Sequence, residues 1–371
     1  MILLDTANIK ETPAELAADY VMSDQLRRCL DDLERRIDPD VEEQLWADHK
    51  TFLDGDWPEP LFDPRRTAAS APGIEWPWIS VNSAIMDLDQ MAMQQFVGCS
   101  DCLASGSGSP LTIRANYGVA ISSSWFGCDM YLMDPEIDTL PTSMPFNDRD
   151  QVAAVIERGI PDVATGYSAR VYAMGLIFRE ILSQYPKIGR YVLPYHPDLQ
   201  SPIDTAELVW GSDFLLAVYE EPQQVHALLD LMTETYIKGM NLWSDIHPFR
   251  PEINVHWSLM HKGNIMLRTD SGMNLSPAMY DEFVRPYEER CLAALGGGAI
   301  HFCGRGEHFI DSMTTLPGLT AIQMSQPHLN DMEQIYRATV DRGMPLLQLE
   351  RETAEAALAS GRDLHHLVLL R

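Results

Sequence analysis

From about Pro110 onward, short apolar runs of strand character alternate with longer helical stretches, and this alternation restricts the fold more than any other feature. Parallel strands need a long crossover between them, usually a helix, so regular alternation favours a parallel sheet. Eight strands in about 260 residues are typical of a (β/α)8 TIM barrel. The six clearer strands are predicted at 111–115, 189–195, 264–269, 299–303, 319–324 and 345–350, and two weaker ones at 129–133 and 253–257.

The first part of the chain has a different pattern. Apolar residues three and four apart predict helices over much of residues 1–109, so we expect an N-terminal helical extension there and the barrel over 110–371. The segment 59–78 is rich in Pro and small residues and is interpreted as a linker. Cys99 and Cys102 form a single CxxC in a predicted helix, which favours a structural role over a metal or redox site.

Composition excludes several classes of function. A formal net charge of −27 disfavours binding to nucleic acid or to anionic membranes. The chain starts with no signal-like segment and has no apolar run long enough to cross a membrane. Its six cysteines are spread thinly, unlike those of a disulfide scaffold. We therefore expect a cytoplasmic protein with reduced thiols.

Polar residues collect where the predicted strands end, while the strand bodies are apolar. The active site of a barrel lies at the carboxyl ends of its strands, so these residues are candidates for function. A doubly wound open sheet remains an alternative fold, but neither a GxGxxG turn nor a GxxxxGK[ST] loop occurs. The residues are Arg114, Asn116, Tyr117, His196, Asp198, Asp270, His301, Cys303, Gln326, His328 and Glu350.

His301 and Cys303 are the most informative pair. Residues i and i+2 of a strand point to the same face, so an imidazole and a thiol lie side by side at the end of the run 299–303. Glu350 ends another apolar strand, where an unpaired carboxylate would be costly. We predict that His301, Cys303 and Glu350 bind Zn²⁺ and leave a fourth position open, as in a catalytic zinc site. The alternative is a hydrogen-bonded core histidine beside a small buried cysteine.

The other candidates are assigned to substrate. Asp270, His196 and Asp198 are predicted to orient it or to act as acid or base, although either aspartate could equally cap a helix or close a turn. Arg114 lies in an apolar strand and needs a carboxylate or backbone partner if buried. We expect Arg114, Asn116, Tyr117, Gln326 and His328 to line the binding pocket.

Two longer stretches, 201–234 and 270–306, resemble the uroporphyrinogen decarboxylase (URO-D) superfamily. The second contains Asp270, Ser276-Pro277, Pro286-Tyr287 and His301-x-Cys303-Gly304, which are similar to a series in that family. The resemblance implies a (β/α)8 barrel. It is nearer to the zinc-dependent corrinoid methyltransferases of the superfamily, in which His-x-Cys and a later Cys bind zinc. No Cys follows position 303, and Glu350 stands near the place of the third ligand.

The resemblance implies methyl transfer between a small methylated compound, a corrinoid carried by a partner protein and a thiol, with a homodimer as the expected assembly. Decarboxylation of a porphyrinogen or a related carboxylate is the alternative. It requires an arginine-lined pocket, and the arginine-rich RQAGRY motif of the decarboxylases is absent. A second alternative is a non-catalytic barrel that binds a ligand or a corrinoid protein, in which His301 and Cys303 would be packed away from any pocket.

Overall fold

The computed structural model describes residues 2–4 and 9–371, in which short strands alternate with helices to give a mixed α/β fold. Residues 1 and 5–8, part of the predicted extension, lie outside the described part. The strands are β1 (Ile2–Leu4), β2 (Leu111–Ile113), β3 (Asp129–Leu132), β4 (Thr142–Met144), β5 (Val192–Pro194), β6 (Ile253–His256), β7 (Leu259–Lys262), β8 (Ile265–Arg268), β9 (Gly298–Phe302), β10 (Leu319–Met324), β11 (Leu346–Leu349) and β12 (Val368–Leu370).

Helices cover most of the remaining chain. Those before residue 110 are α1 (Pro13–Ala18), α2 (Asp24–Arg36), α3 (Pro39–Leu53), α4 (Val81–Met86) and α5 (Leu88–Ser105). The later ones are α6 (Ile121–Ser124), α7 (Arg149–Arg158), α8 (Tyr167–Gln184), α9 (Pro186–Tyr191), α10 (Pro202–Trp210), α11 (Phe214–Glu220), α12 (Pro222–Ile246), α13 (Pro277–Phe283), α14 (Arg285–Leu295), α15 (Ile310–Met313), α16 (Met332–Ala338) and α17 (Arg351–Ala359). Within the described residues, no helix combines the length and the apolar character needed to cross a membrane.

The main sheet has five parallel strands in the order β12-β11-β10-β9-β8, and β2 and β5 form a second parallel pair. All six clearer predicted strands are present. The two weaker strands are also present, as β3 and β6. The prediction that they belong to a parallel sheet is wrong, because both pair antiparallel with their neighbours. β6 is joined to β7 by only two residues, and a connection this short can only form a hairpin.

The strand predicted at 189–195 begins three residues late, because its first residues belong to α9. A carboxylate far away in sequence starts this helix. Glu34 accepts hydrogen bonds from the backbone N–H groups of Lys187, at 2.9 Å, and Ile188, at 2.9 Å. These N–H groups have no partner inside the helix, so a side chain from α2 satisfies them.

The predicted linker 59–78 is in part a structural member of the fold. Phe62 is fully buried and forms a parallel bridge with Leu369 of β12. Arg66 makes a buried two-pronged ion pair with Glu42 of α3, at 2.7 and 2.8 Å. This segment therefore ties the helices of the predicted extension to the sheet. The boundary at residues 109 and 110 stays a prediction.

The two faces of the main sheet contribute to different apolar clusters. One face, which includes Ile300 and Ile322, packs under helices. The other presents Met266, Ala299, Ala321, Leu347 and Leu369, and the β6–β7 hairpin packs against it with Ile253, Val255, Leu259 and Met260. Neighbouring residues of one strand fall in different clusters because side chains alternate across a sheet. The hairpin consequently reaches the same face as His301.

Candidate metal centre and active site

The register of β8 and β9 brings three metal-binding side chains together. Arg268 pairs with His301, so Asp270 lies opposite Cys303 just beyond the strand ends. The Cys303 N–H donates to Asp270 Oδ1 at 3.0 Å. His301 Nε2 is 3.3 Å from Cys303 Sγ and 3.3 Å from Asp270 Oδ1. Among the described residues, Asp270, His301 and Cys303 form a group whose ligand atoms all lie within 4.8 Å of one another.

The donor set and spacing suit zinc. Nitrogen, sulfur and oxygen ligands at about 2.0–2.3 Å in a tetrahedron are separated from one another by about 3.3–3.8 Å. The two 3.3 Å separations from His301 Nε2 fall at the lower end of this range. Three protein ligands leave a fourth position for another molecule. The residues present therefore fit a catalytic type of zinc site.

The carboxylate of this group is Asp270, and Glu350 is not a member. Glu350 directly follows β11. Because β10 lies between β11 and β9, strand spacing places β11 about 10 Å from β9. The Glu350 carbonyl accepts the Ala354 N–H at 3.1 Å as α17 begins. Glu350 as third ligand stays a prediction, and the observed group uses Asp270 in its place.

A glutamine holds the far side of the His301 ring. His301 Nδ1 makes a short hydrogen bond with Gln323 Oε1, and Gln323 Nε2 donates to Gln348 Oε1 at 3.1 Å. Because the amide oxygen can only accept, Nδ1 carries the proton. When Nε2 carries no proton, its lone pair therefore points toward Cys303 and Asp270. A fixed tautomer of this kind is typical of a metal-binding histidine.

The charges of the group are mutually stabilising. Burial disfavours an imidazolium, but hydrogen bonds with Asp270 and Cys303 outweigh it and raise the pKa of His301 to about 9. Burial would likewise raise the pKa of Asp270, but His301 and then Arg268 lower it. Without a metal, the ring is therefore protonated at neutral pH. A metal ion that binds Nε2 must displace that proton.

A second buried cluster lies beside the first. Asp198 contacts Arg114 at short range, Arg268 Nη1 at 3.2 Å and His256 Nε2 at 3.4 Å. Burial would raise the pKa of Asp198, but Arg114, His256 and Arg268 hold it well below its usual value. Burial also keeps His256 neutral by lowering its pKa. With two guanidinium groups and one carboxylate, the cluster carries a net positive charge.

Some donors of this second cluster are unsatisfied. Arg268 Nε and Nη1 are buried and lack a hydrogen bond of good geometry, as does Asp198 Oδ1. Buried charged donors without partners are rare because their desolvation is costly. The unpaired donors and the net positive charge of the cluster are complementary to one anionic group. Arg114 has the carboxylate partner that the sequence requires.

His196, a predicted acid or base, is held by the backbone at both ring nitrogens. Nδ1 contacts the Pro197 carbonyl at 2.9 Å, and Nε2 accepts the Met266 N–H at 3.1 Å. Burial lowers its pKa to about 4. The ring also stacks on His256 at 4.2 Å. A catalytic role for His196 stays a prediction, and this geometry does not favour it.

The predicted pocket residues are dispersed. Gln326 Oε1 accepts the Gly304 N–H at 2.6 Å and so shapes the turn after Cys303. Tyr117 is fully buried edge-on to Tyr167, and burial raises its pKa. Asn116 has a buried amide oxygen without a protein partner. His328 is exposed in a turn. Only Gln326 of these four directly supports the metal-binding loop.

An open cavity of about 410 Å³ reaches the metal group through Asp270. Asp204 and Glu207 of α10 also line it, so the cavity is acidic. Asp204 accepts the N–H groups of Asp270, at 3.0 Å, and Ser271, at 2.7 Å. Burial and the neighbouring Asp270 charge raise the pKa of Asp204. A substrate with many carboxylates would be repelled here.

The sequence analysis missed several residues of the site: Asp204, His256, Trp257, Arg268 and Gln323. Arg268 and Gln323 carried a usable signal, since each is a polar residue inside an apolar strand. His256 carried the same signal, since it is the polar end of the buried strand β6. Trp257 carried none, because only the hairpin turn brings it to the site.

No protein-family model and no curated protein matches this chain. Among solved structures, the chain is similar to a methyltransferase from Methanosarcina mazei, with a TM-score of 0.57 and 15% sequence identity. The match covers 86% of this chain and 90% of that chain. At this level of identity the similarity shows a shared, methyltransferase-like fold.

Proposed function

We propose that this protein is a zinc-dependent methyltransferase that moves a methyl group between a small methylated compound, a corrinoid and a thiol. The observation that carries the proposal is the orientation of His301. Gln323 occupies Nδ1, and Nε2 faces Cys303 and Asp270 at 3.3 Å each. The shared fold with a methyltransferase supports the same class of reaction.

Each residue of the group then has a defined task. Cys303, His301 and Asp270 would hold Zn²⁺, which supplies stabilisation of a substrate thiol as its nucleophilic thiolate. Gln323 keeps the proton of His301 on Nδ1. Asp204 fixes the loop that carries Asp270 through two backbone N–H groups. The hydrogen bond from Gln326 holds the turn after Cys303 in place.

The parallel segments are consistent with a (β/α)8 barrel, which we propose as the complete architecture. Phe62 at its bridge, β2, β5 and β8–β12 together supply eight parallel segments. The Ser201 N–H donates to the Arg268 carbonyl at 3.3 Å, which links the chain after β5 to β8. Membership of the URO-D superfamily rests on the sequence resemblance and on this architecture.

The partners are proposed on the same basis. The methyl group would come from a small methylated compound or from a corrinoid carried by a separate protein. A homodimer and a cytoplasmic location are further proposals. All six cysteines are free thiols, as expected in a reducing compartment.

Decarboxylation of a carboxylate-bearing compound is the second candidate, and the buried pair Arg114 and Arg268 favours it. Asp198 already balances one of their two charges, so the pair can hold one additional anion. A porphyrinogen carries many carboxylates, and the acidic cavity beside Asp270 offers them no arginine. The charge balance of the pair favours a substrate with a single carboxylate as the form of this candidate. A purely binding barrel stays a third candidate, since Asp270 lines the acidic cavity but His301 and Cys303 do not.

The first test is the zinc content of the purified protein by plasma emission spectroscopy. We expect about one zinc per chain, as for a single site, and its loss in Cys303→Ser. Cys102→Ser is the matched control, because Cys102 is a partly buried thiol on α5 outside the site. Asp270→Asn should weaken zinc binding and Glu350→Gln should not; the reverse result would restore Glu350 as the third ligand.

Methyl donors are then screened with the zinc-loaded protein, using formation of a methylated thiol as the readout. Cys303→Ser should abolish transfer with its circular dichroism spectrum unchanged. Full zinc content in Cys303→Ser would contradict the assignment. A wild-type protein that binds no zinc would leave carboxylate chemistry as the better candidate.

A further inference from the structure

The turn of the β6–β7 hairpin has an unusual residue at its first position. His256 pairs with Leu259, so Trp257 and Ser258 form a two-residue turn. Trp257 has a φ of 51°. Turns of this type favour glycine where φ is positive, and a bulky residue there is strained. Glycine would adopt this backbone conformation without strain. We therefore infer that contacts of the tryptophan side chain compensate for the strain.

The indole ring lies between the two buried clusters. It meets the His301 ring edge-on, with centroids 4.9 Å apart and an interplanar angle of 87°. The Arg268 guanidinium carbon is 5.0 Å from the Trp257 ring centroid. The Trp257 ring thus contacts both His301 of the metal group and Arg268 of the second buried cluster.

Each of these contacts has a preferred geometry. Aromatic rings favour edge-to-face packing, and a guanidinium is attracted to the face of an indole. Polar partners hold the two ring nitrogens of His301: Gln323 contacts Nδ1, and Cys303 and Asp270 contact Nε2. The indole adds an apolar contact to the ring itself, which restricts the orientation of the imidazole plane.

We propose that Trp257 is a positioning residue, which orients the imidazole plane of His301 for metal binding and keeps Arg268 apart from the metal group. The proposal rests on the proposed metal site. The hairpin delivers this side chain because it packs on the sheet face that also carries His301. Thr320 on β10 anchors it further by donating to the Lys262 carbonyl at 2.6 Å.

The test compares Trp257→Gly with Ser258→Gly. Glycine suits the positive φ at position 257, so the first variant removes the ring while keeping the turn. The second changes the same turn and leaves the ring in place. Zinc affinity is measured by competition with a chromogenic chelator, and site geometry by the visible absorption bands of the Co²⁺-loaded protein.

We expect Trp257→Gly to bind zinc at least about 10-fold more weakly, as for other residues that orient metal ligands, and to shift the Co²⁺ bands. Ser258→Gly should match the wild type, and Trp257→Phe should lie nearer to the wild type than Trp257→Gly. Unchanged affinity and bands in Trp257→Gly would refute the proposal. So would an equal effect of Ser258→Gly.

A metal-free readout separates this proposal from the proposed function. In protein labelled with ¹⁵N at histidine, the His301 signal is identified by its loss in His301→Gln. We expect the ring signals of His301 to shift or broaden in Trp257→Gly and in Trp257→Phe, more strongly in the former. If the wild type binds no metal, the proposed function fails, and unchanged His301 signals in these variants would refute the positioning role independently.

Discussion

Replacing Gln323 with leucine removes the acceptor of the His301 Nδ1 proton and keeps a side chain of similar volume. His301 is only 3% exposed, so this N–H cannot turn to water. A buried donor without a partner costs about 1–3 kcal/mol. Gln348 also loses a bond, but its side chain is only half-buried and can bind water instead. We therefore expect the free energy of unfolding of the metal-free protein to fall by about 1–3 kcal/mol.

The same substitution should weaken metal binding. Residues that orient a metal-binding histidine typically contribute 10- to 100-fold in affinity, or about 1.4–2.7 kcal/mol. Unfolding is followed in urea by circular dichroism with the metal removed, and zinc affinity by chelator competition. The two measurements separate the loss of the hydrogen bond from the loss of the oriented lone pair.

Gln348→Leu is the matched control, because it removes the outer hydrogen bond and leaves His301 bound to Gln323. This control should also lose about 1–3 kcal/mol of stability, because the buried Gln323 Nε2 loses its acceptor, but its zinc affinity should equal that of the wild type. If Gln323→Leu is as stable as the wild type and binds zinc equally well, His301 is not oriented by Gln323. The assigned tautomer would then be wrong.

Two further predictions concern charge. Asp198→Asn leaves Arg114 and Arg268 buried without a counter-charge, so we expect a loss of about 3 kcal/mol in urea unfolding; a loss below about 1 kcal/mol would contradict the buried cluster. His49 is buried, and burial lowers its pKa from 6.5 to about 4, so the unfolded chain binds this proton first as pH falls. The neutral ring therefore stabilises the fold above pH 6.5, and up to about 3 kcal/mol should be lost between pH 6.5 and pH 4. His49→Gln should flatten this part of the stability curve, and an unchanged slope would contradict it.

Local sequence patterns were sufficient to predict features that depend only on residues close together in the chain. The limits of β10 agree with the predicted strand 319–324, because Pro317-Gly318 precedes the run and the polar Ser325-Gln326 follows it. The pairing of His301 with Cys303 also follows from the period of a strand alone. These predictions needed no knowledge of distant parts of the chain.

Long-range contacts decided the rest. The partner of His301 and Cys303 is Asp270 because β8 and β9 pair in one particular register, and no local pattern distinguishes this from a role for Glu350. Glu34 starts α9 from more than 150 residues away, so the strand before Val192 could not be excluded from the sequence.

The hairpin shows the same limit most clearly. Residues 253–257 have the apolar content of a buried strand, and the structure confirms an extended, buried strand over Ile253–His256. Only the tertiary structure decided that the chain turns back at Trp257 and packs on the sheet face that carries His301. Side-chain periodicity is a property of one segment, whereas strand pairing and face contacts depend on which segments meet. The sequence therefore determined the chemical groups of this site, and the packing of distant segments determined which of them act together.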